Sequence, residues 1–309
     1  MQILSRGGTR LVAMSRRGWT LFLAMAVIWG IPYLLIRVAV RQLDPGVLVF
    51  ARTAPVALLF LPVVAARGHL VVMARNLKWI VAFAVIEFGI PWYLMATAER
   101  HITSSLTSLL ICCVPLFAVV AHRLAGRHEP ISRRRYIGLS VGALGVLMLV
   151  GLDLSGGSVV WIVLMLIVCT GYTVGPMILA NRLDHVPGIA VTAGATAVVA
   201  LAWTPWAVVH WPRHVSGETL SSALVLSLVC TAAAFLVFFQ LVKEVGSTRS
   251  VVVTYVNTGI AVVLGIAGLH EPLTAGVVLG FPLVLIGSIY ATSSTAPAHL
   301  DYAENSAAT

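Results

Sequence analysis

The sequence predicts an all-α integral membrane protein with ten transmembrane helices, arranged as two inverted five-helix repeats. Three observations support this fold class: the chain is strongly apolar, its apolar stretches are long enough to cross a bilayer, and one short motif occurs in both halves. Of the 309 residues, 59% are hydrophobic and 10% are charged, whereas soluble domains carry about 25% charged residues. This composition indicates a membrane protein.

Ten apolar stretches are candidate membrane-spanning helices, since one crossing takes about 20 residues. They run over Trp19–Val40, Val47–Ala66, Trp79–Ala98, Leu106–His122, Ile137–Leu152, Val159–Ala180, Ile189–Val209, Leu220–Val242, Val251–Leu269 and Ala275–Tyr290. The loops between them are short, so we expect no soluble catalytic domain. Residues 1–18 are predicted to be a cytoplasmic leader and residues 293–309 a cytoplasmic tail.

The net charge of +9 comes from arginines and lysines that concentrate in alternate loops. Basic residues such as Arg17 and Arg75 lie before the first span and after the second, whereas the intervening loops contain few, for example Arg41 and Arg213. Because loop Lys and Arg accumulate on the cytoplasmic side, we expect both termini to be cytoplasmic in a plasma (inner) membrane protein. No nucleic-acid partner is predicted, because these loops lack interleaved aromatic residues.

The repeated motif is "AGRHEP" at residues 125–130 and "AGLHEP" at residues 267–272, an offset of 270 − 128 = 142 residues. At the same offset Ser105 matches Ser247 and Gly145 matches Gly287. Each half, residues 19–152 and 158–292, contains five predicted spans. An odd number forces the second half to enter the membrane from the opposite side, which is the inverted repeat typical of many secondary transporters.

The HEP triplets are interpreted as boundaries between consecutive helices. The glycine would end one helix, the proline would start the next, and the carboxylate would lie in a first turn favoured by the helix dipole. The residues concerned are Gly126, Glu129, Pro130, Gly268, Glu271 and Pro272. The alternative is that the glutamates are ligands or proton carriers. No second histidine completes an H-E-x-x-H zinc motif at either triplet, and no metal or cofactor site is predicted.

Several short motifs follow one another in an order found in a known family. They are "WG" at Trp29 and Gly30, "FAR" ending at Arg52, "VPLFAVV" before the first HEP motif, "CTAAAF" from Cys230 and "GSTRS" from Gly246. In order, spacing and duplication the chain resembles the EamA-like transporters of the drug/metabolite transporter superfamily over nearly its whole length. The resemblance implies a ten-helix bundle of the plasma membrane that moves small organic metabolites or drugs, frequently outward.

Polar residues that the repeat does not copy are candidates for the transport site, since charges deep in a membrane are costly and usually face a cavity or a partner. Glu87 lies near the middle of the third span. It would carry a proton against substrate, or stay charged beside Arg52 or Arg37 as a gate or substrate anchor. Arg52 would alternatively extend to the outer headgroups, and Arg37 would face a cavity or an ion pair. Asn257 would bind substrate or bridge two helices.

Aromatic residues form a second set of candidates. Trp29 and Tyr33 are four residues apart on one face of the first span, and Trp92 follows Pro91 in the third. Such side chains suit an amphipathic organic ligand, although plain packing or an interfacial belt is the alternative. Pro32 and Pro91 are predicted to interrupt their helices.

The function predicted from these observations is a secondary transporter, an exporter of small organic molecules that works by alternating access. Coupling to protons is a further hypothesis. The alternatives are a membrane-embedded lipid-processing enzyme and a passive channel. GxxxG spacings at Gly138 and Gly142 and at Gly276 and Gly280 predict close helix packing within the bundle, with a homodimer face as the alternative.

Overall fold

The computed structural model describes residues 15–124, 133–151, 158–245 and 253–292. This part of the chain is helical with short connections and contains no strand. The α-helices are α1 Arg16–Gly30, α2 Pro32–Ala39, α3 Pro45–Ala66, α4 Leu70–Arg75, α5 Leu77–Phe83, α6 Ile90–Ala98, α7 Ser104–Ile111, α8 Val114–Leu124, α9 Arg133–Gly151, α10 Ser158–Arg182, α11 Gly188–His210, α12 Gly217–Ser227, α13 Ala234–Val245, α14 Val253–Leu269 and α15 Ala275–Thr292. Two π-helices occupy Ala84–Gly89 and Leu228–Ala233.

Seven helical segments of the described chain are long and apolar enough to cross a membrane: Arg16–Ala39, Pro45–Ala66, Leu77–Ala98, Ser104–Ala121, Val159–Arg182, Gly188–His210 and Gly217–Val245. Shorter apolar helices cover the other predicted spans, at Tyr136–Met148, Val253–Leu269 and Ala275–Tyr290. The prediction of an all-helical protein that crosses the membrane several times is therefore confirmed.

The outer surface of the bundle is apolar along the spans. Leu58, Leu201 and Val209 expose 74%, 73% and 76% of their surface. A soluble protein rarely exposes a large continuous apolar surface, whereas lipid tails solvate one at no cost. These side chains therefore face the hydrocarbon core of the bilayer.

Prolines interrupt two of the spans, as predicted. The first span is divided where α1 ends at Gly30 and α2 begins at Pro32. Pro91 lies in the first turn of α6, directly after the first π-helix. Here the Ile90 N–H donates to the carbonyl of Val85, five residues back. A π-turn of this kind adds one residue to the helix and rotates the side chains that precede it.

The segments that connect the helices lie at two ends of the bundle, and hydrogen bonds show which segments share an end. At one end, Ser15 donates to Glu244 at 2.6 Å and His185 Nε2 lies 3.2 Å from Asn76 Oδ1; we name it the Glu244 end. At the other, Trp206 donates to Asp44 at 2.8 Å; this is the Asp44 end. Segments rich in predicted cytoplasmic arginines lie at the Glu244 end.

Helices from the two halves of the chain pack against each other in pairs. Helix α3 lies along α11, α9 along α15, α1 against α13, and α6 against α10. The α9–α15 pair is close because its contact is built from glycines: a Cβ atom on Gly287 would meet the backbone of Gly142 and Gly138. The predicted use of the GxxxG spacing for packing within the bundle is confirmed.

We expect Gly287→Ala to lower the stability of the bundle. The new Cβ atom would overlap the backbone of Gly142, and overpacking typically costs about 1–3 kcal/mol. Thermal unfolding of the purified protein in detergent measures the effect. Gly259→Ala is the matched control, since a Cβ atom there meets nothing within 4 Å and alanine is the better helix former. Equal losses in both variants would contradict the close packing.

Candidate functional site

Arg52 lies inside the bundle, in the half of α3 nearer the Asp44 end, with 7% of its surface exposed. Its Nε donates to the hydroxyl of Thr231 at 3.0 Å, and its guanidinium carbon lies 3.6 Å from the centroid of the Trp92 ring. The side chain does not extend to the lipid headgroups, so that alternative is wrong. Arg52 and Trp92, which were predicted as separate candidates, instead form the centre of one site.

The two π-helices position the groups around Arg52. Thr231 belongs to the second π-helix and donates its own proton to the carbonyl of Leu226, five residues back, at 2.8 Å. Its oxygen is therefore oriented to accept from Arg52. Phe88, in the first π-helix, stacks on Trp92 with ring centroids 4.6 Å apart. One π-helix thus supports the ring under the guanidinium and the other supplies its hydrogen-bond acceptor.

The π-helices also correct the alignment of the two halves at this point. The two π-helices start 228 − 84 = 144 residues apart, whereas the HEP motifs are 142 residues apart. The offset of 142 would pair Glu87 with Val229. The π-helices pair Glu87 with Thr231. Each half therefore places a polar side chain at the same position of its π-helix. Glu87 remains a charge that the other half does not copy.

Glu87 lies apart from Arg52. Its Oε2 atom is buried and accepts no hydrogen bond from the residues that the structure describes. A Cβ atom on Gly175 of α10 would collide with this carboxyl, so glycine is required there to leave room for it. No ion pair joins Glu87 to Arg52 or Arg37 within the described chain, and the predicted pairing is not found in this conformation.

Arg37 bonds to another glutamate. Its guanidinium donates to the backbone carbonyl of Glu99, directly after the span that ends at Ala98. The Glu99 side chain has no exposed surface, and neither of its carboxyl oxygens accepts a hydrogen bond from the described residues. Burial raises the pKa of the Glu99 carboxyl well above its usual range, and the positive charge of Arg37 offsets this only in part. The predicted ion pair of Arg37 is not found among the described residues, and its hydrogen-bond partner is the backbone carbonyl of Glu99.

Glu271 has a different role from the one predicted for the HEP motif. Its carboxylate accepts from the N–H groups of Ser104 and Ser105 at 2.7 and 3.0 Å, and from the Ser105 hydroxyl at 2.6 Å. It thus caps helix α7 of the first half, where unpaired N–H groups and the helix dipole favour a negative charge. A Cβ atom on Gly265 would collide with it.

The other residues of this motif also differ from prediction. Helix α14 continues through Gly268, and His270, with φ of 55°, is the residue that turns the chain. Helix α15 begins at Ala275, three residues after Pro272. The HEP triplet therefore separates two helices, as predicted, but the turn is at His270 and not at Gly268, and Pro272 does not start the next helix. Gly126, Glu129 and Pro130 lie outside the described residues.

The remaining candidates do not join Arg52 directly. Asn257 is buried, and its Oδ1 lies 3.3 Å from the Thr258 hydroxyl in α14. Tyr33 belongs to the main buried cluster. Trp29 packs on Phe238 in a second, smaller cluster, with ring centroids 4.9 Å apart. The two aromatic residues therefore pack in different clusters, although the backbone between them stays helical at Ile31.

Three residues of the site were not predicted: Thr231, Tyr172 and Glu99. The Tyr172 side chain hydrogen-bonds to Trp92 of the Arg52 site, and its helix, α10, also carries Gly175, which lies against the Glu87 carboxyl. Its sequence context, "CTGYTVGP" at residues 169–176, is polar and rich in small residues for the middle of a span and was the available signal. Thr231 is part of the "CTAAAF" motif, but a threonine within a span commonly bonds to its own helix and carries no signal alone.

The space beside Arg52 is small in this conformation. A void of about 10 Å³ is lined by Ile36, Leu48, Val49, Arg52, Trp92 and Ala96. This is room for about one water molecule, whereas ligand pockets usually measure about 300–1,000 Å³. The arrangement is a closed site that presents a cation, an aromatic face and apolar walls.

Comparison with known proteins gives the family. The sequence model of the EamA-like transporter family matches twice, over residues 16–151 and 159–293. The chain belongs to the EamA-like transporter family. Relatives with similar sequences include the uncharacterized inner membrane transporter YedA of Escherichia coli K12, 26% identical over 78% of this chain and 79% of that protein. An uncharacterized transporter of Archaeoglobus fulgidus is 22% identical over 87% of this chain and 96% of its own.

A solved structure described as the crystal structure of a protein has the same fold. It covers 89% of this EamA-like chain with a TM-score of 0.60 at 16% identity. As a member of the EamA-like family, the chain is a multi-pass membrane transporter with a small-molecule substrate and a lipid environment. The double match agrees with the sequence repeat and assigns one copy to each half.

We expect Glu99→Gln to stabilise this EamA-like transporter at neutral pH and to reduce the pH dependence of its stability. The pKa of Glu99 is higher in the folded protein than in the unfolded chain, where it is about 4.3. The contribution of Glu99 to the free energy of unfolding is therefore fully present below the unfolded-state pKa and is lost as the pH rises through the folded-state pKa. Glutamine removes that loss. The measurement is thermal unfolding in detergent between acidic and neutral pH. Glu218→Gln, at an exposed position, is the control. A Glu99→Gln profile that matches wild type would contradict an unpaired buried carboxyl.

Proposed function

We propose that the protein is a secondary transporter that exports small organic metabolites or drugs across the plasma membrane by alternating access, coupled to protons. The observation that carries this proposal is the closed central site, to which both halves of a duplicated chain contribute. Arg52 and Trp92 come from the first half and Thr231 from the second. A relative movement of the halves would therefore change the site itself, as alternating access requires.

The helix pairing supports an arrangement of ten spans as two inverted repeats. The α3–α11 and α9–α15 pairs each join helices at matching positions of the two halves. Helices α1 and α10 lie in the first span of each half, and α6 and α13 lie in the third span of each half. The α1–α13 contact in one half-to-half direction therefore corresponds to the α6–α10 contact in the other. Such a pattern is expected of two similar units related by a pseudo-two-fold axis in the membrane plane. A passive channel does not need this symmetry.

The charge distribution supports cytoplasmic termini. Lys and Arg accumulate in cytoplasmic loops, and the arginine-rich segments lie at the Glu244 end, where Ser15 and Glu244 also meet. The Asp44 end would then face the outside. Its connecting segments are joined by several hydrogen bonds, including Arg100 to the Leu43 carbonyl at 3.0 Å and the Ser216 N–H to Gln42 at 2.8 Å.

A groove near the Glu244 end lies beside the segment of α10 that contacts Glu87. A groove of about 500 Å³ is lined by Trp79, Val174, Met177, Ile178, Asn181 and Arg182. Two of these residues, Val174 and Ile178, are one and three positions from Gly175, which faces the Glu87 carboxyl. A closed Asp44 end and a groove at the other end support a conformation that is shut to the outside and opens toward the cytoplasm.

Proton coupling is assigned to Glu87. A carboxylate charge buried at this depth without a partner costs several kcal/mol, and binding a proton removes that cost. Helix α10 contacts both positions, through the hydrogen bond between Tyr172 and Trp92 and through Gly175 against the Glu87 carboxyl. Occupation of the site by substrate and protonation of Glu87 would then influence each other, which is the requirement for coupled transport.

We expect a reporter that is active only outside the cytoplasm to remain silent when fused after Tyr290, because the loop charges place that end inside. The control is a fusion after Arg100, in the connection predicted to be external, which should be active. Reporter activity is measured in intact cells. Activity after Tyr290 together with silence after Arg100 would reverse the proposed orientation.

We expect Glu87→Gln to abolish net transport driven by a pH gradient while leaving exchange at equal pH intact, because glutamine mimics the protonated acid and cannot release a proton. The solute is first identified by a metabolite screen of cells with and without the gene at controlled pH. Transport is then measured in proteoliposomes, with Glu218→Gln as the exposed control. An unchanged pH profile in Glu87→Gln would reject the coupling role. If solute on the opposite side of the membrane does not accelerate the flux, the protein is a channel and not an exchanger.

A further inference from the structure

The Arg52 guanidinium is a buried charge without a counter-ion. No carboxylate forms an ion pair with it in the part of the chain that the structure describes. The Glu99 carboxyl accepts no hydrogen bond from the described residues, and Arg37, not Arg52, donates to the Glu99 backbone carbonyl. The contacts of Arg52 are a neutral hydroxyl, a ring face and aliphatic walls. A buried charge is normally paired, since removal from water costs several kcal/mol, so the site has an unfilled place for an anion.

The geometry of the guanidinium determines which anion fits. Nε is used by Thr231 at 3.0 Å, and the plane is held against Trp92 at 3.6 Å from the ring centroid. The edge of the guanidinium that carries the two terminal nitrogens remains for a ligand. Two parallel N–H donors on a planar group match the two oxygens of a carboxylate. Arg52 supplies one positive charge, which balances a monoanion and not a phosphate dianion, and the Arg37 guanidinium donates elsewhere, to the Glu99 carbonyl.

The walls of the void determine the rest of the ligand. Ile36, Leu48, Val49 and Ala96 are aliphatic, and Trp92 adds an aromatic edge. The four aliphatic side chains offer no partner for a second polar group, the Trp92 side chain is already hydrogen-bonded to Tyr172, and a polar group buried without a partner is penalised. A ligand held at Arg52 therefore extends an apolar body along these residues as the void enlarges.

We propose that Arg52 is the substrate anchor of this transporter and that the substrate is a small organic acid, with its carboxylate on Arg52 and an apolar body against Trp92. This inference names the substrate class of the site described under the proposed function and rests on that function for its physiological meaning. The binding step itself is tested without transport.

The test is thermal unfolding of the purified full-length protein with three acids, acetate, butyrate and benzoate, and with their neutral amides as matched controls. Phenyl phosphate represents the alternative anion. We expect protection by acids over amides, and more by butyrate or benzoate than by acetate. Arg52→Gln should weaken acid binding at least about tenfold, the equivalent of one charge-assisted hydrogen bond. Arg52→Lys should keep the preference for acids with lower affinity, and Arg41→Gln, at an exposed position, should bind as wild type does.

Stability without ligand provides a second readout. If Arg52 is an unpaired buried charge kept for a ligand, then Arg52→Gln should unfold at the same or a higher temperature than wild type. A clearly lower unfolding temperature would assign the guanidinium to holding the bundle together and would overturn the proposal. Equal protection by acids and amides in wild type, a preference for phenyl phosphate, or unchanged acid binding in Arg52→Gln would also overturn it.

The two proposals fail separately. If acids bind through Arg52 but proteoliposomes neither accumulate nor exchange them, the site is correct and the transport function is wrong. If the proteoliposomes move neutral or cationic solutes and acids give no protection, the transport function is correct and the substrate class is wrong.

Discussion

Arg52 places a full positive charge within an apolar bundle, and its contacts in the described structure are neutral. The arrangement around it follows from that constraint. Thr231 must present an oxygen, so its hydroxyl proton goes to a carbonyl of its own π-helix. Trp92 must lie flat against the guanidinium, so Phe88 supports it from the other side. Because these groups come from both halves, the charge can be held in this way only while the halves are together.

The acidic groups are kept away from this charge. Glu87 lies against Gly175 of α10, and Glu99 lies beside Arg37 near the Asp44 end. Direct ion pairs to Arg52 would neutralise it and occupy the donors that a ligand would use. The separation leaves three partly unsatisfied groups in one bundle, at a cost in stability that a purely structural core would avoid. Functional sites are where such costs are retained.

The sequence predicted the elements better than the contacts between them. Apolar length located the spans, and Pro32 and Pro91 located the interruptions, because these depend on local properties of the chain. Arg52 and Glu87 were found as individual candidates from the cost of a charge at their positions, and Trp92 as an aromatic side chain suited to an organic ligand. Their grouping depends on two π-helices, and an added residue in a helical turn leaves no mark in composition or hydropathy. The role predicted for Glu271 was wrong for a related reason, since helix-boundary rules assume neighbours in sequence and its partners lie in the other half.

The bond between Glu271 and helix α7 has a consequence for biogenesis. Ser104 and Ser105 are made 167 and 166 residues before the carboxylate that caps them. Chains are synthesised from the N-terminus, and early segments enter the membrane before late ones exist. The first half is therefore inserted with the N–H groups at the start of α7 uncapped, and only the arrival of α14 completes them. Assembly of the Asp44 end is thereby postponed until nearly the whole chain has left the ribosome.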